Sequence, residues 1–142
     1  MQTCREIMTR SPFCCQTADS SQDAARLMWE ANIGSVPVTA DGKRLVGIVT
    51  DRDLALRVLA EGRIARETPI QQVMTPNPIT CRPDDDVQRV LSLMAEHQVR
   101  RIPIVDENHN IVGIVSQADI ALRTNDVADV AQVVEELSRP PA

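Results

Sequence analysis

The feature that most limits what this chain can fold into is that it is written twice. The stretch "GIVTDRDLALR" at residues 47–57 returns as "GIVSQADIALR" at residues 113–123, a shift of 66 positions. The same shift carries Met8-Thr9 onto Met74-Thr75, Pro12 onto Pro78, and Pro37 onto Pro103, with no gap. Asp19 and Gln22 fall on Asp85 and Gln88; Leu27, Met28 and Glu30 fall on Leu93, Met94 and Glu96. Two copies are too few for a solenoid, whose stacked repeats share one continuous core. The arrangement to expect is two equivalent lobes related by a pseudo-twofold axis.

Each copy reads as strand, helix, strand, strand, helix, which makes the fold α/β (α+β). A short extended piece comes first ("SPFCCQ", "NPITCR"), its proline suited to a strand start or an edge. Asp19 and Asp85 are positioned to cap a helix, with Gln22 and Gln88 as capping-box partners. Ala24, Leu27, Met28 and Ala31 then share one apolar helix face. The runs "SVPVT" and "LVGIV" in copy one, and "RIPIV" and "IVGIV" in copy two, flank five-residue polar turns and predict a hairpin in each. A closing helix begins at Thr50 or Ser116. These signals predict repeat 1 over residues 1–62, a linker over 63–69, repeat 2 over 70–124 and a helical tail over 125–142. The tail pattern is Val127, Val130, Val134 and Leu137, with Pro140 as the stop.

Bulk properties narrow the function classes. A chain of 142 residues, 43% hydrophobic and 25% charged, is long enough to bury a core. A formal charge of -5 argues against nucleic-acid binding, which needs a clustered basic surface. No apolar run reaches the roughly 18 residues of a membrane span, and the first residues lack a secretory apolar core. The expected compartment is the cytoplasm. No C-x-x-C pair and no His-rich cluster predicts a metal site, and no nucleophile with a base and an orienting group predicts catalysis. Cys4, Cys14, Cys15 and Cys81 read as reduced thiols, with a thiol sensor as the alternative.

The strand–helix–strand–strand–helix order, the apolar-Pro-apolar centre of the middle strand, and G-h-h-[T/S]-x-x-D at the last junction together resemble a CBS domain. Two in tandem resemble a CBS pair, or Bateman module, over residues 3–123, and specifically the small stand-alone bacterial proteins of that kind. The resemblance implies a regulatory module that holds an adenosine-containing ligand (AMP, ADP, ATP, S-adenosylmethionine or NAD) in clefts between the repeats. It carries onto Gly47, Thr50 and Asp53 in one copy and Gly113, Ser116 and Asp119 in the other. The chemistry agrees: a helix start favours phosphate, a hydroxyl can donate to it, and a carboxylate can accept from ribose. A glycine within an apolar strand also points to a close approach, here expected from the ligand. The same hydroxyl and carboxylate equally make a capping box, which is the structural alternative.

For the base, the resemblance nominates Pro12, Phe13 and Val36 in one site and Pro78, Ile79 and Ile102 in the other. Arg100 and Arg101 stand where copy one has Gly34 and Ser35, and are the expected phosphate ligands. Arg52 within the first motif has Ala118 as its counterpart, so the two clefts are expected to differ. CBS pairs commonly dimerise through their helices, and Trp29, off the apolar face of its helix, is the expected interface residue of a homodimer. A ligand-free module that docks an unidentified regulated protein is the competing function.

Overall fold

The structure is a computed structural model, and it describes residues 2–124 and 127–137. The chain forms two compact units, each built around one repeat. The repeat-1 unit comprises Phe13–Pro78 and Asn108–Asn110. The repeat-2 unit takes residues 2–12 together with Ile79–Glu107 and the chain from Ile111 onward. The chain ahead of repeat 1 is therefore built into the unit of repeat 2, and residues 63–78 into the unit of repeat 1. The stretch 63–69, read above as a linker, leads into two short turns of 3-10 helix at Ala65–Glu67 and Ile70–Gln72. Ile70 and Val73 are fully buried there. An apolar pair so placed does the work of a core, not of a tether.

In the repeat-1 unit a four-stranded sheet runs β2 (Cys15–Gln16), β3 (Ser35–Thr39), β4 (Leu45–Thr50) and β5 (Thr75–Pro76). In the repeat-2 unit a three-stranded sheet runs β1 (Thr9–Arg10), β7 (Ile111–Ser116) and β6 (Arg101–Val105). Both hairpins have the predicted register, with a bulge at Val38/Thr39 in one and Ile104/Val105 in the other. The expected first strand is shorter than the sequence implies. Only Cys15–Gln16 pairs with β3, and its counterpart Cys81 makes a single bridge to Ile104.

The long helices are α2 (Ser21–Ala31) and α4 (Val87–His97). The predicted face is right: Ala24 and Met28 are buried and Leu27 packs against the same core. The predicted caps are one residue early. Ser20 and Asp86 are the N-caps, accepting from Asp23 and Gln88 N–H groups at 3.0 Å. Asp19 and Asp85 close the preceding turns instead, each accepting an N–H at 2.8 Å, from Gln16 and Arg82. A carboxylate three residues downstream of an N–H satisfies it locally, and that turn outcompetes the cap.

The closing helix of repeat 1 is α3 (Asp51–Leu54), continued as a π-helical turn over Ala55–Leu59. That of repeat 2 is α5 (Gln117–Arg123). A short α1 (Cys4–Ile7) precedes β1, and α6 (Val127–Leu137) forms the predicted tail helix. In α6 the fully buried residue is Val133, while Val134 is exposed. Pro140 lies outside the described residues. Each unit has its own core: Val36, Val38, Val49, Val58, Ile70 and Val73 in one, and Ile7, Val90, Ile102, Ile104, Val115 and Ile120 in the other.

Candidate functional site

The duplicated motif makes the same local structure twice. Thr50 Oγ1 accepts from Asp53 N–H at 3.0 Å and Asp53 accepts from Thr50 N–H at 2.9 Å. Ser116 and Asp119 do the same at 3.0 and 2.9 Å. The capping-box alternative is thus what the hydroxyl and carboxylate do, and a cap of this kind contributes about 1 kcal/mol. Both groups keep further acceptor capacity, since an ionised carboxylate offers about four lone-pair directions.

The glycine has a partner too. A Cβ on Gly47 would stand 2.6 Å from Met74 Sδ and 3.0 Å from the Thr75 carbonyl oxygen. A Cβ on Gly113 would stand 2.5 Å from Met8 Sδ and 3.0 Å from the Thr9 carbonyl oxygen. Close approach is real at both glycines, but the expectation that a ligand fills the gap is corrected: a methionine and a neighbouring strand do. The pairing is Gly47 opposite Pro76 and Gly113 opposite Arg10.

The rest of the motif holds the same segment. Thr75 Oγ1 donates to Asp53 at 3.4 Å, and Thr9 Oγ1 donates to Asp119 at 3.3 Å. Arg57 Nη1 donates to the carbonyls of Val73 and Met74, both at 3.1 Å. Arg123 Nη1 donates to those of Ile7 and Met8 at 3.3 and 3.1 Å. Glycine, aspartate and arginine therefore clasp an apolar-Met-Thr segment in each unit. Arg57 and Arg123 were assigned no role from sequence, and neither were the Met-Thr pairs. Their signal was the repeat itself, which keeps all of them in register.

The remaining candidates divide by position. Arg101 sits directly across the hairpin from Ser116, and Arg100 carbonyl accepts from Gln117 N–H at 3.0 Å. Both arginines thus flank the second motif, Arg100 exposed and Arg101 half-buried. In repeat 1 the matching positions pair Ser35 with Thr50, and Gly34 carbonyl accepts from Asp51 N–H at 2.9 Å. Asp51 Oδ1 also takes the Arg52 N–H at 2.8 Å, closing that helix start with its own carboxylate. Its counterpart Gln117 is 7% exposed, and its Oε1 makes no hydrogen bond. Arg52 itself is exposed.

The base-site residues are not alike. Val36 and Ile102 are fully buried and belong to the two cores. Phe13 is 62% exposed, Pro12, Pro78 and Ile79 are half-buried, and Ile79 packs on the repeat-2 core. Burial pushes the Cys14 thiol up, and burial with Asp19 nearby holds Cys15 at about 11. Among the described residues no cluster of three His, Cys, Asp or Glu side chains could hold a metal ion, and no helix is long and apolar enough to cross a membrane.

The CBS domain family model matches this chain twice, at residues 4–60 and 70–126. The chain belongs to the CBS-domain family and carries its domains as a tandem pair. It is 40% identical over 122 residues to the CBS domain-containing protein YhcV of Bacillus subtilis, covering 86% of this chain and 85% of that protein. It is 34% identical to hypoxic response protein 1 of Mycobacterium tuberculosis over 142 residues, which is 100% of this chain and 98% of that one. The crystal structure of that protein with two coordinated zinc ions superposes with a TM-score of 0.80 at 35% identity, over 87% of this chain and 99% of that one. The CBS domain pair of protein MJ0100, in complex with 5'-methylthioadenosine and S-adenosyl-L-methionine, gives a TM-score of 0.76 at 30% identity. That match covers 86% of this chain and 94% of that one.

Proposed function

We propose that this protein is a non-catalytic regulatory module whose G-h-h-[T/S]-x-x-D stretches hold the ribose and phosphate of an adenosine-containing ligand, AMP, ADP, ATP, S-adenosylmethionine or NAD. The reading is supported above all by the surroundings of Ser116, where Arg101 lies directly opposite and Asp119 keeps acceptor capacity. A guanidinium suits a phosphate, and a carboxylate suits the vicinal hydroxyls of ribose. The CBS pair of MJ0100 is complexed with two adenosine compounds, which fits the same ligand class. Phosphorylated ligands belong with repeat 2, because repeat 1 offers Gly34 and Ser35 in place of the arginines and closes its helix start with Asp51. In repeat 1 the exposed ring of Phe13 is the group best suited to cover a base.

The module is also proposed to be a homodimer in the cytoplasm that acts on a regulated partner protein. Trp29 is 83% exposed and Leu59 76% exposed, which is costly for large apolar side chains left in water. The same side chains favour the second reading, a ligand-free interaction module. Thermal melting of the full chain with each adenosine compound separates the two. Ligand at 100 times its dissociation constant stabilises by about 2.7 kcal/mol, so one or more compounds are expected to raise the melting temperature by several degrees. A flat response across the set, with no nucleotide in the purified protein, overturns the ligand-binding reading. A monomer by light scattering overturns the dimer.

A further inference from the structure

The repeat-2 unit holds two thiols in contact at a place where the repeat-1 unit has one. Cys4 opens α1, and its N–H donates to the Asp85 carbonyl at 2.9 Å, while Arg5 N–H donates to the Pro83 carbonyl at 2.9 Å. The start of α1 is thereby laid along the turn that follows Cys81. Both cysteines are buried in the same core, Cys4 completely, and their thiols are hydrogen-bonded to one another. The 66-residue shift places Ile70 at the position of Cys4 and Cys15 at that of Cys81, and those two are buried together in the other core. An isoleucine fills this place, so packing alone does not require a second sulfur.

A cation completes the difference. Arg89 hydrogen-bonds to Cys81 and pairs with Asp85 at 3.7 Å, whereas repeat 1 has Asp23 at the corresponding position. The Cys4 S–H and the Arg89 guanidinium both favour a thiolate on Cys81 and hold its pKa down against burial. The same contact keeps the proton on Cys4 and pushes that thiol far up. One sulfur is thus prepared as the nucleophile and the other as the proton-bearing partner that follows it.

We propose that Cys4 and Cys81 form an oxidation site that takes a small hydroperoxide and closes to an intrachain disulfide. The Cys81 thiolate attacks one peroxide oxygen, the O–O bond breaks, and hydroxide leaves as water after taking a proton from solvent. The resulting Cys81 sulfenic acid is attacked by Cys4 sulfur. The S–O bond breaks, the S–S bond forms, and the Cys4 proton leaves with the oxygen as a second water. Two electrons pass from the two thiols to the peroxide. Hydrogen peroxide is close to water in size, and the covering strand β1 is only two residues long. The product ties residues 2–12 covalently to the unit they pack in, and it closes a long loop, which restricts the unfolded chain.

The test uses the full chain treated with hydrogen peroxide in its folded state, then denatured, alkylated and mapped by mass spectrometry. The expected product is two hydrogens lighter, carries a Cys4–Cys81 link that reductant reverses, and melts higher than the reduced protein. Cys4→Ile, the residue repeat 1 already carries in this place, is expected to leave a Cys81 sulfenic acid that a dimedone-type reagent traps. Arg89→Gln is expected to slow the reaction several-fold without removing the link. A disulfide through Cys14 or Cys15, a link between chains, over-oxidised Cys81 without a link, or no reaction under conditions that oxidise a free thiol each overturns the proposal.

Discussion

The two units share a clasp and differ around it. Gly47, Asp53 and Arg57 hold Val73-Met74-Thr75 in one, as Gly113, Asp119 and Arg123 hold Ile7-Met8-Thr9 in the other. The positions beside the clasp diverge: Gly34, Ser35, Asp51 and Arg52 face Arg100, Arg101, Gln117 and Ala118. The comparison separates two kinds of residue in one motif. Those that fix backbone to backbone are the same in both units, and those around the helix start, where a ligand would be read, have different charge.

The clasp is broken most directly by filling the glycine. Gly113→Ala puts a methyl against Met8 sulfur and carbon and against a carbonyl that cannot move far, and is expected to cost about 2–3 kcal/mol. Gly47→Ala has only the sulfur below 3.0 Å, so it is expected to cost less. Urea denaturation of both variants checks the order. Combining Gly113→Ala with Met8→Ala should recover part of the loss, and strict additivity would show that the two do not share the space.

The asymmetry of charge is sharpened by ligand binding. Replacing Arg100 and Arg101 together by alanine is expected to weaken AMP or ATP at least tenfold, a cost of about 1.4 kcal/mol or more. Adenosine should be nearly unaffected, and isothermal titration calorimetry distinguishes the two. Equal weakening of nucleotide and nucleoside would assign the pair to structure.

Removing the arginine of the clasp is expected to do less. Arg123→Ala and Arg57→Ala each remove two hydrogen bonds from a guanidinium to carbonyls that keep partial access to water, and should cost about 1–1.5 kcal/mol. The melting temperatures of the two variants should fall alike, because the two clasps are alike. The smallest expected effect is that of the cap: Thr50→Ala and Ser116→Ala should each lose about 0.5–1 kcal/mol. A much larger loss at either position would mean that the hydroxyl does more than cap.

Much of this was legible in the chain. The hairpins, α2 and α4 follow from alternation and from the helical spacing of Ala24, Leu27 and Met28, which act over a few residues. The capping boxes at Thr50 and Ser116 were legible for the same reason. The caps of α2 and α4 were misread because Asp19 with Ser20, and Asp85 with Asp86, offer two adjacent oxygens, and only the turn geometry selects between them. The roles of Val36 and Ile102 were less legible, since a buried apolar residue looks the same in a core as beside a base.

The sequence by itself determined the duplication, the class of fold and the existence of a close approach at each glycine, because these rest on spacing within one segment. What comes close was decided by tertiary structure. Met8 fills the gap at Gly113 and Met74 the gap at Gly47 across long stretches of chain, and no local periodicity encodes such a partner. The same holds for Cys4 against Cys81 and for Arg123 on the carbonyls of Ile7 and Met8. These contacts exist because each unit buries a segment from beyond its own repeat, which the hydrophobic effect favours wherever apolar surface can be covered, whatever its distance along the chain.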